Sequence, residues 1–373
     1  MQYHYNSADN HLDSRWLPKN LFQERLPAKL RDSGPKVVET AEGSRWEWEG
    51  KIRGDAADGS SNARMLAHYF PGNVPPSGSL PPADPALILK HMDLAGIHSG
   101  VFYGDTRKWG IDDLELRLAV YRTYNDFVME LNSHNPNRIV VLPNLPTFAP
   151  EECPAELDRM IKKGAKAVEF GVFDVGEPLF EATWDGVWSR AAEAGVVVCS
   201  HIGDRAGVAY PPNVRGSQLA HYATAPFSIA KQIAQYVFCG AFERNPTLKV
   251  SVAECRIGWL PFLITWMDRQ ITERKPDPTS PLSMLPSEYV RRNMTFTFEE
   301  DYVGARMIPE EWAHLKDTVV WGSDYPHEQG TWPDPSAAID IMFEGIDSGL
   351  KREILFDRTA RVFDLEVGNY GPA

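Results

Sequence analysis

The sequence predicts an α/β fold: a (β/α)8 TIM barrel in a single domain over residues 1–373, with a long insertion after the first strand. Three observations carry this. Beyond residue 84, short apolar runs alternate with amphipathic stretches of helical length. The runs are apolar throughout, as strands buried on both faces read. With a first strand over residues 3–8 the count reaches eight, which favours a closed barrel over an open sheet.

The elements follow in order. Residues 31–86 are rich in Gly, Pro, Ser and charge, and Val74-Pro-Pro-Ser-Gly-Ser-Leu-Pro-Pro82 excludes a continuous helix or central strand. Within this excursion residues 45–50 alternate like a short strand, and Trp46 and Trp48 are expected to pack it onto the barrel. Asp84 caps a helix over 85–94, with Pro85 first and Gly96 beyond its end. There follow a strand at 100–103, a helix at 112–133, a strand at 138–142 and a helix at 150–163 closed by Gly164. A strand at 165–170 and a helix at 184–194 lead to the β-branched run 196–200, which ends at His201. Residues 224–243 read as one helix. The strand 249–253 ends at Glu254, and helix 259–273 follows. Strands at 294–298 and 318–321 precede Gly322-Ser-Asp324, and 335–345 and 351–356 are helical.

Composition narrows the function. Apolar residues make up 43% and charged residues 24%, ordinary for a globular protein with a large core. Net charge is −13 with no Lys/Arg block, which argues against nucleic acid, since phosphate binding needs a basic face. No apolar run approaches the ~20 residues of a membrane span, and residues 1–10 lack an apolar signal core. The expected location is cytoplasmic. The four cysteines form no C-x-x-C pair and read as reduced thiols, Cys199 and Cys239 as packing residues.

Three places share one pattern: an apolar strand, then a metal-competent side chain at its C-terminal end. They are Ser7-Ala-Asp-Asn-His11, Val196-Val-Val-Cys-Ser-His201 and Val319-Val-Trp-Gly-Ser-Asp324-Tyr-Pro-His327. Asp9 and His11 are two apart, so on an extended backbone both project to one side. All strand C-termini of a (β/α)8 barrel open onto one face, where active sites form. Alone, each piece reads more readily as structure: a core histidine, a turn or cap aspartate. Together, two imidazoles and two carboxylates would neutralise most of a divalent cation's charge and leave room for water or substrate.

At Ser7-Ala-Asp-Asn-His-Leu-Asp13, Ser200-His-Ile-Gly203, Gly258-Trp-Leu-Pro-Phe262, Trp321-Gly-Ser-Asp-Tyr-Pro326 and Ile354-Leu-Phe-Asp357 the chain resembles the amidohydrolase-related branch of the amidohydrolase superfamily. That branch includes aminocarboxymuconate semialdehyde decarboxylase and the resorcylate- and vanillate-type decarboxylases. The resemblance implies one divalent metal, zinc ahead of manganese, held by Asp9, His11, His201 and Asp324. It also implies a small, often aromatic or carboxylated substrate and a homodimer. Binuclear members end the fourth strand with a carboxylated lysine; here Lys166 lies near that strand's start, so one metal is expected. The family's acid/base histidine before Leu-Pro-Phe falls on Cys255, with Glu254 one residue earlier. Arg358 stands where an asparagine often follows the family's late aspartate.

Glu254 is expected to replace the missing histidine, because burial can raise a carboxylate's proton affinity toward neutrality. A thiol at Cys255 would tend to bind the metal and block it. Asp324 is expected to be catalytic as well as a ligand. Arg205 and Arg256 are candidate cations for a substrate carboxylate, and His327 and His221 are candidate lining residues; the first three have a structural reading of comparable weight, and His221 reads more readily as structure. The run Glu299-Glu-Asp301 reads as a solvated loop or helix start. Three functions stay open: a metal-dependent hydrolase, a non-oxidative decarboxylase, and a metal-binding module without turnover. The missing histidine tips the reading to the hydrolase, with the decarboxylase as the alternative; the retained ligand set counts against the third.

Overall fold

The computed structural model describes residues 2–41, 43–56, 83–104, 109–203, 214–273, 278–310, 315–327 and 329–371. Eight parallel strands run through it: β1 (Tyr5–Leu12), β5 (Ile97–Gly104), β6 (Ile139–Val141), β7 (Ala167–Glu169), β8 (Val197–His201), β9 (Val250–Ala253), β10 (Met294–Phe298) and β11 (Val319–Trp321). They pair in the order β1-β5-β6 and β7-β8-β9-β10-β11. Parallel bridges Asn144↔Glu169 and Asn10↔Tyr325 join the two arcs at both ends. The sheet therefore closes into an eight-stranded barrel.

The side chains sort as closure requires. Val101, Tyr103, Val140, Leu142, Ala167, Val197, Cys199, Ala253 and Val320 fill the interior. Alternate residues such as Phe102, Val141, Val168 and Phe296 face out into the larger core under the helices. Ala360, Phe363 and Leu365 join the interior cluster from below. There Lys166 Nζ donates to Asp364 O at 2.6 Å, which places this lysine at the bottom of the barrel. Arg358, 5% exposed, donates to Val319 O (2.6 Å) and Lys316 O (2.7 Å), and so ties the last helix to the start of β11.

Part of the excursion forms a three-stranded antiparallel sheet, β2 (Lys36–Thr40), β3 (Gly43–Trp48) and β4 (Lys51–Asp55). Period-two alternation puts Ser44, Trp46 and Trp48 on its buried face. Trp46 meets Phe22 and Trp109 edge-on or tilted, Trp48 stacks on Trp109 at 5.5 Å, and Trp46 Nε1 donates to Ser14 O at 3.1 Å. Residues 57–82, including the proline-rich run, lie outside the described residues.

Several boundaries differ from expectation. β1 runs on to Leu12, so Asp9 and His11 lie inside the strand; His11 N–H donates to Tyr325 O at 2.7 Å, and pairing with the neighbouring strand end extends it. The expected helix 224–243 is several pieces, among them Ser217–Thr224, Ala230–Phe238 and Ala241–Arg244. Pro226 and the left-handed Gly240 (φ 76°) interrupt it. Asp84 caps its helix, accepting from Ala86 N and Leu87 N. No helix among the described residues is long and apolar enough to cross a membrane.

Candidate metal centre

The first and last strands of the barrel meet where the candidate ligands sit. Asp324 N–H donates to Asp9 O at 2.9 Å, on the other side of the bond from His11 to Tyr325. A buried network locks the two ends: Ser323 N–H donates to Ser7 Oγ (2.9 Å), and Ser7 and Ser323 hydroxyls both donate to Asn10 Oδ1 (3.0 and 2.8 Å). Asn10 in turn donates to Val101 O on β5. Gly322 has no room for a side chain: a Cβ there would lie 2.4 Å from Asp9 Cβ.

This brings four predicted ligands together at the C-terminal face. Asp9, His11 and His201 offer ligand atoms mutually within 4.8 Å, and all three are buried. His11 Nε2 is 3.6 Å from Asp9 Oδ1 and 3.0 Å from Asp324 Oδ1. His201 Nε2 is 3.9 Å from Asp9 Oδ1. Glu254 extends the set: its Oε2 is 3.1 Å from His201 Nε2 and 4.0 Å from His11 Nε2.

These residues fit a divalent metal on three grounds. Ligand atoms about 2.1 Å from one ion lie within about 4.2 Å of each other; the His11–Asp9, His11–Asp324 and His201–Asp9 separations fall inside that, with Asp324 grouped through His11 and His327 rather than directly with Asp9 and His201. The His201 Nδ1 lies 2.8 Å from Ile202 O and can only donate to it, which leaves Nε2 as the nitrogen that a metal would take. Third, Asp9 Oδ1 is buried and accepts no hydrogen bond among the described residues. Burial outweighs the pull of His201 and His11 and raises the Asp9 carboxyl to about 6, the mark of a carboxylate short of positive charge.

Glu254 faces the cluster and Cys255 does not. Adjacent residues on an extended backbone would oppose each other, but Glu254 and Arg256 are left-handed (φ 55° and 56°) and the chain turns sharply there. Cys255 is buried, its Sγ against Val252 O and Thr297 O. Glu254's proton affinity differs from expectation. Burial and the Asp324 charge raise it, but His201's hydrogen bond and charge, with His11's charge, hold the carboxyl below its ordinary value. Asp324, also left-handed (φ 55°), is held far below the carboxylate range: burial would raise it, but His327 and His11 prevail.

His327 lies beside the cluster. Its ring stacks on His11 at 4.0 Å, with Nδ1 2.8 Å from Asp324 Oδ1 and Nε2 3.3 Å from Asp13 Oδ2. Burial alone would lower its proton affinity; the Asp324 and Asp13 charges keep it well above the ordinary histidine value. Arg256 pairs instead with the buried Glu299. That corrects the solvated reading of Glu299, because the end of β10 packs against the turn after β9. Asp301 caps the helix Tyr302–Met307 and accepts from Ile257 N and Gly258 N. His221 sits on helix Ser217–Thr224 against Tyr222 and is not in the cluster. Arg205 lies outside the described residues.

Two residues without an expected role also belong here. Asp13 holds the far nitrogen of His327. Thr297 on β10 donates to Asp9 Oδ2 at 2.9 Å and accepts from Glu254 N–H at 2.7 Å. The sequence signal for Thr297 was the run Thr295-Phe-Thr-Phe298, in which polar residues take the interior phase of a barrel strand.

Known proteins resemble this chain in sequence and in fold. One curated relative, 2-amino-3-carboxymuconate-6-semialdehyde decarboxylase of Dictyostelium discoideum, is 26% identical over 224 residues, 60% of this chain. The chain spans 60% of that relative's length. An amidohydrolase from Mycobacterium avium subsp. paratuberculosis shares the fold at TM-score 0.77 and 20% identity, over 99% of this chain and 100% of that one. So does a dihydroxybenzoic acid decarboxylase from Polaromonas sp. JS666, solved with manganese and 2-nitroresorcinol, at TM-score 0.64 and 16% identity over 98% and 97%. The sequence profile of the Amidohydrolase family matches residues 90–365, most of the barrel, and the chain belongs to that family.

Proposed function

We propose that this protein is a metal-dependent decarboxylase of a small aromatic acid. The two groups at the barrel mouth that share His11, Asp9-His11-His201 and His11-Asp324-His327, carry the metal part of this reading. The reaction is supported by the similarity to a decarboxylase relative and by the decarboxylase that shares the fold. These favour the carboxy-lyase over the hydrolase that the missing histidine suggests.

Asp9, His11, His201 and Asp324 would hold the metal, and manganese and zinc both suit such mixed ligation. A metal bound there would supply Lewis-acid chemistry to a carboxylated substrate. The protein must then deliver a proton to the ring carbon as its bond to the carboxylate breaks. The electron pair of that bond becomes the new C–H bond, and carbon dioxide leaves. Glu254 is the group we assign to this transfer, because its carboxylate shares the space of both imidazoles. His327, fixed between Asp324 and Asp13, stacks on His11 and keeps that ring in place. One observation favours hydrolysis as a second reading: a Glu254 held below its ordinary proton affinity suits a base better than an acid.

The test is a product screen with metal-replete protein over hydroxylated benzoic acids, amides and β-diketones. Carbon dioxide with the matching arene supports the decarboxylase. Amide or diketone cleavage without carbon dioxide from any acid would establish the hydrolase instead. Elemental analysis should give near one equivalent of metal per chain, lost in His201→Ala.

A further inference from the structure

We propose that Thr297 is a positioning residue of the metal centre, whose one hydroxyl sets both the direction of the Asp9 carboxylate and the backbone turn at Glu254. This rests on reading the cluster as a metal centre. Thr297 lies on β10, a strand that supplies none of the candidate ligands. It is fully buried, with Phe296 and Phe298 on either side facing the outer core. No packing need explains a hydroxyl there, and a buried hydroxyl is costly unless bonded.

The direction of the bonds follows from the groups. Glu254 N–H can only donate, so at 2.7 Å it donates to Thr297 Oγ1. The hydroxyl has one proton, and its other partner is Asp9 Oδ2 at 2.9 Å. Oδ2 is thereby taken as an acceptor on the β10 side. The opposite oxygen, Oδ1, turns toward His11 and His201, at 3.6 and 3.9 Å. Without the hydroxyl, the carboxylate could rotate and offer its edge differently. The same oxygen anchors the peptide leading into Glu254, whose left-handed backbone (φ 55°) brings its carboxylate to 3.1 Å from His201. One side chain thus couples a ligand on β1 to the acid/base candidate after β9.

Thr297→Val keeps the shape and removes the hydroxyl; Thr297→Ser keeps the hydroxyl. Manganese and zinc binding to the apo protein would be followed by calorimetry, and cobalt(II) loading by its visible ligand-field bands. Outer partners of ligands typically change metal affinity by about 10–100-fold. Thr297→Val should weaken binding by that factor and shift the cobalt bands, with thermal unfolding of the apo form little changed. Thr297→Ser should stay within about threefold of wild type by the same reasoning. If Thr297→Val fails to fold, Thr297→Ala serves with the same expectations. Wild-type affinity and an unshifted cobalt spectrum in either variant overturn the proposal. A wild-type protein that takes up none of the three metals overturns the metal centre itself, which is a different result.

Discussion

Glu254, Arg256 and Asp324 all adopt left-handed backbone, a conformation that costs a non-glycine residue about 1–3 kcal/mol. Two of the three point into the cluster and the third braces the turn through Glu299. Glu49, Arg215 and Asp364 share this conformation elsewhere, so the strain at the cluster is a reason to test its residues rather than a proof of chemistry. Glu254→Gln keeps the side chain's shape and removes its proton exchange. It should retain metal and fold but lose about 100-fold or more of turnover, the usual scale for a general acid/base. Turnover near wild type across pH 6 to 9 would move the role to His327. At this scale the pattern of metal-competent side chains on or just after apolar strands picked out Asp9, His11, His201 and Asp324, which the fold brings near one another. At Thr297 the sequence's only signal was the polar alternation of Thr295-Phe-Thr-Phe298, which names no role, because threonine is what a strand contains anyway. It left Arg256 open between a substrate cation and a structural role and read Glu299 as solvated, because their pairing joins two strand ends far apart in sequence.

The seam between β1 and β11 shows what an element contributes. Asp9 and Asp324 face each other only because the strands approach closely at Gly322. Gly322→Ala would place a methyl carbon 2.4 Å from Asp9 Cβ, and β1 would have to move. Overpacking of this kind costs about 1–3 kcal/mol. The displaced Asp9 should weaken metal binding at least tenfold, readable by calorimetry. Wild-type affinity in Gly322→Ala would mean that β1 is not held by this contact. The eight strands were legible from their apolar runs, and Asp84 from its cap chemistry. The extent of β1 was not, since its last residues are drawn into the sheet by Tyr325, a partner at the other end of the chain. Strands β2 and β4 escaped notice because they are short and half-exposed, and only β3 carried tryptophans.

At the scale of the whole molecule, helix Pro85–Leu94 leans on the loop behind Asp324 through His91. Its Nδ1 lies 2.8 Å from Tyr325 Oη, and Trp332 Nε1 donates to His91 O at 3.3 Å. Burial, with help from Lys90, lowers this histidine to about 4. The folded protein therefore keeps it neutral while the unfolded chain binds a proton below about 6.5. Stability is fully present above that pH and is lost as pH falls toward 4. Between pH 7 and pH 5 the loss from His91 is about 2 kcal/mol. Urea unfolding at the two pH values should show this in wild type and a flatter response in His91→Gln; equal slopes would exclude His91 as the cause. A homodimer is expected from the family resemblance, and light scattering at micromolar concentration checks it, strict monomer behaviour counting against.

The meeting of β1 with β11 also sets a sequence of events in time. Asp9, on the first strand of the barrel, leaves the ribosome long before Asp324, which follows its last strand. Chains emerge N-terminal end first, so β1 can pair with β5 early but must wait for β11 before the seam between β1 and β11 closes. Until then the four side chains are not a set, and an ion has nothing to bind but scattered groups. An ion that binds only the finished ring acts as a latch on it, holding it shut in proportion to its own concentration. Supply of metal would then govern how much of the newly made protein stays closed, as well as how fast it turns over.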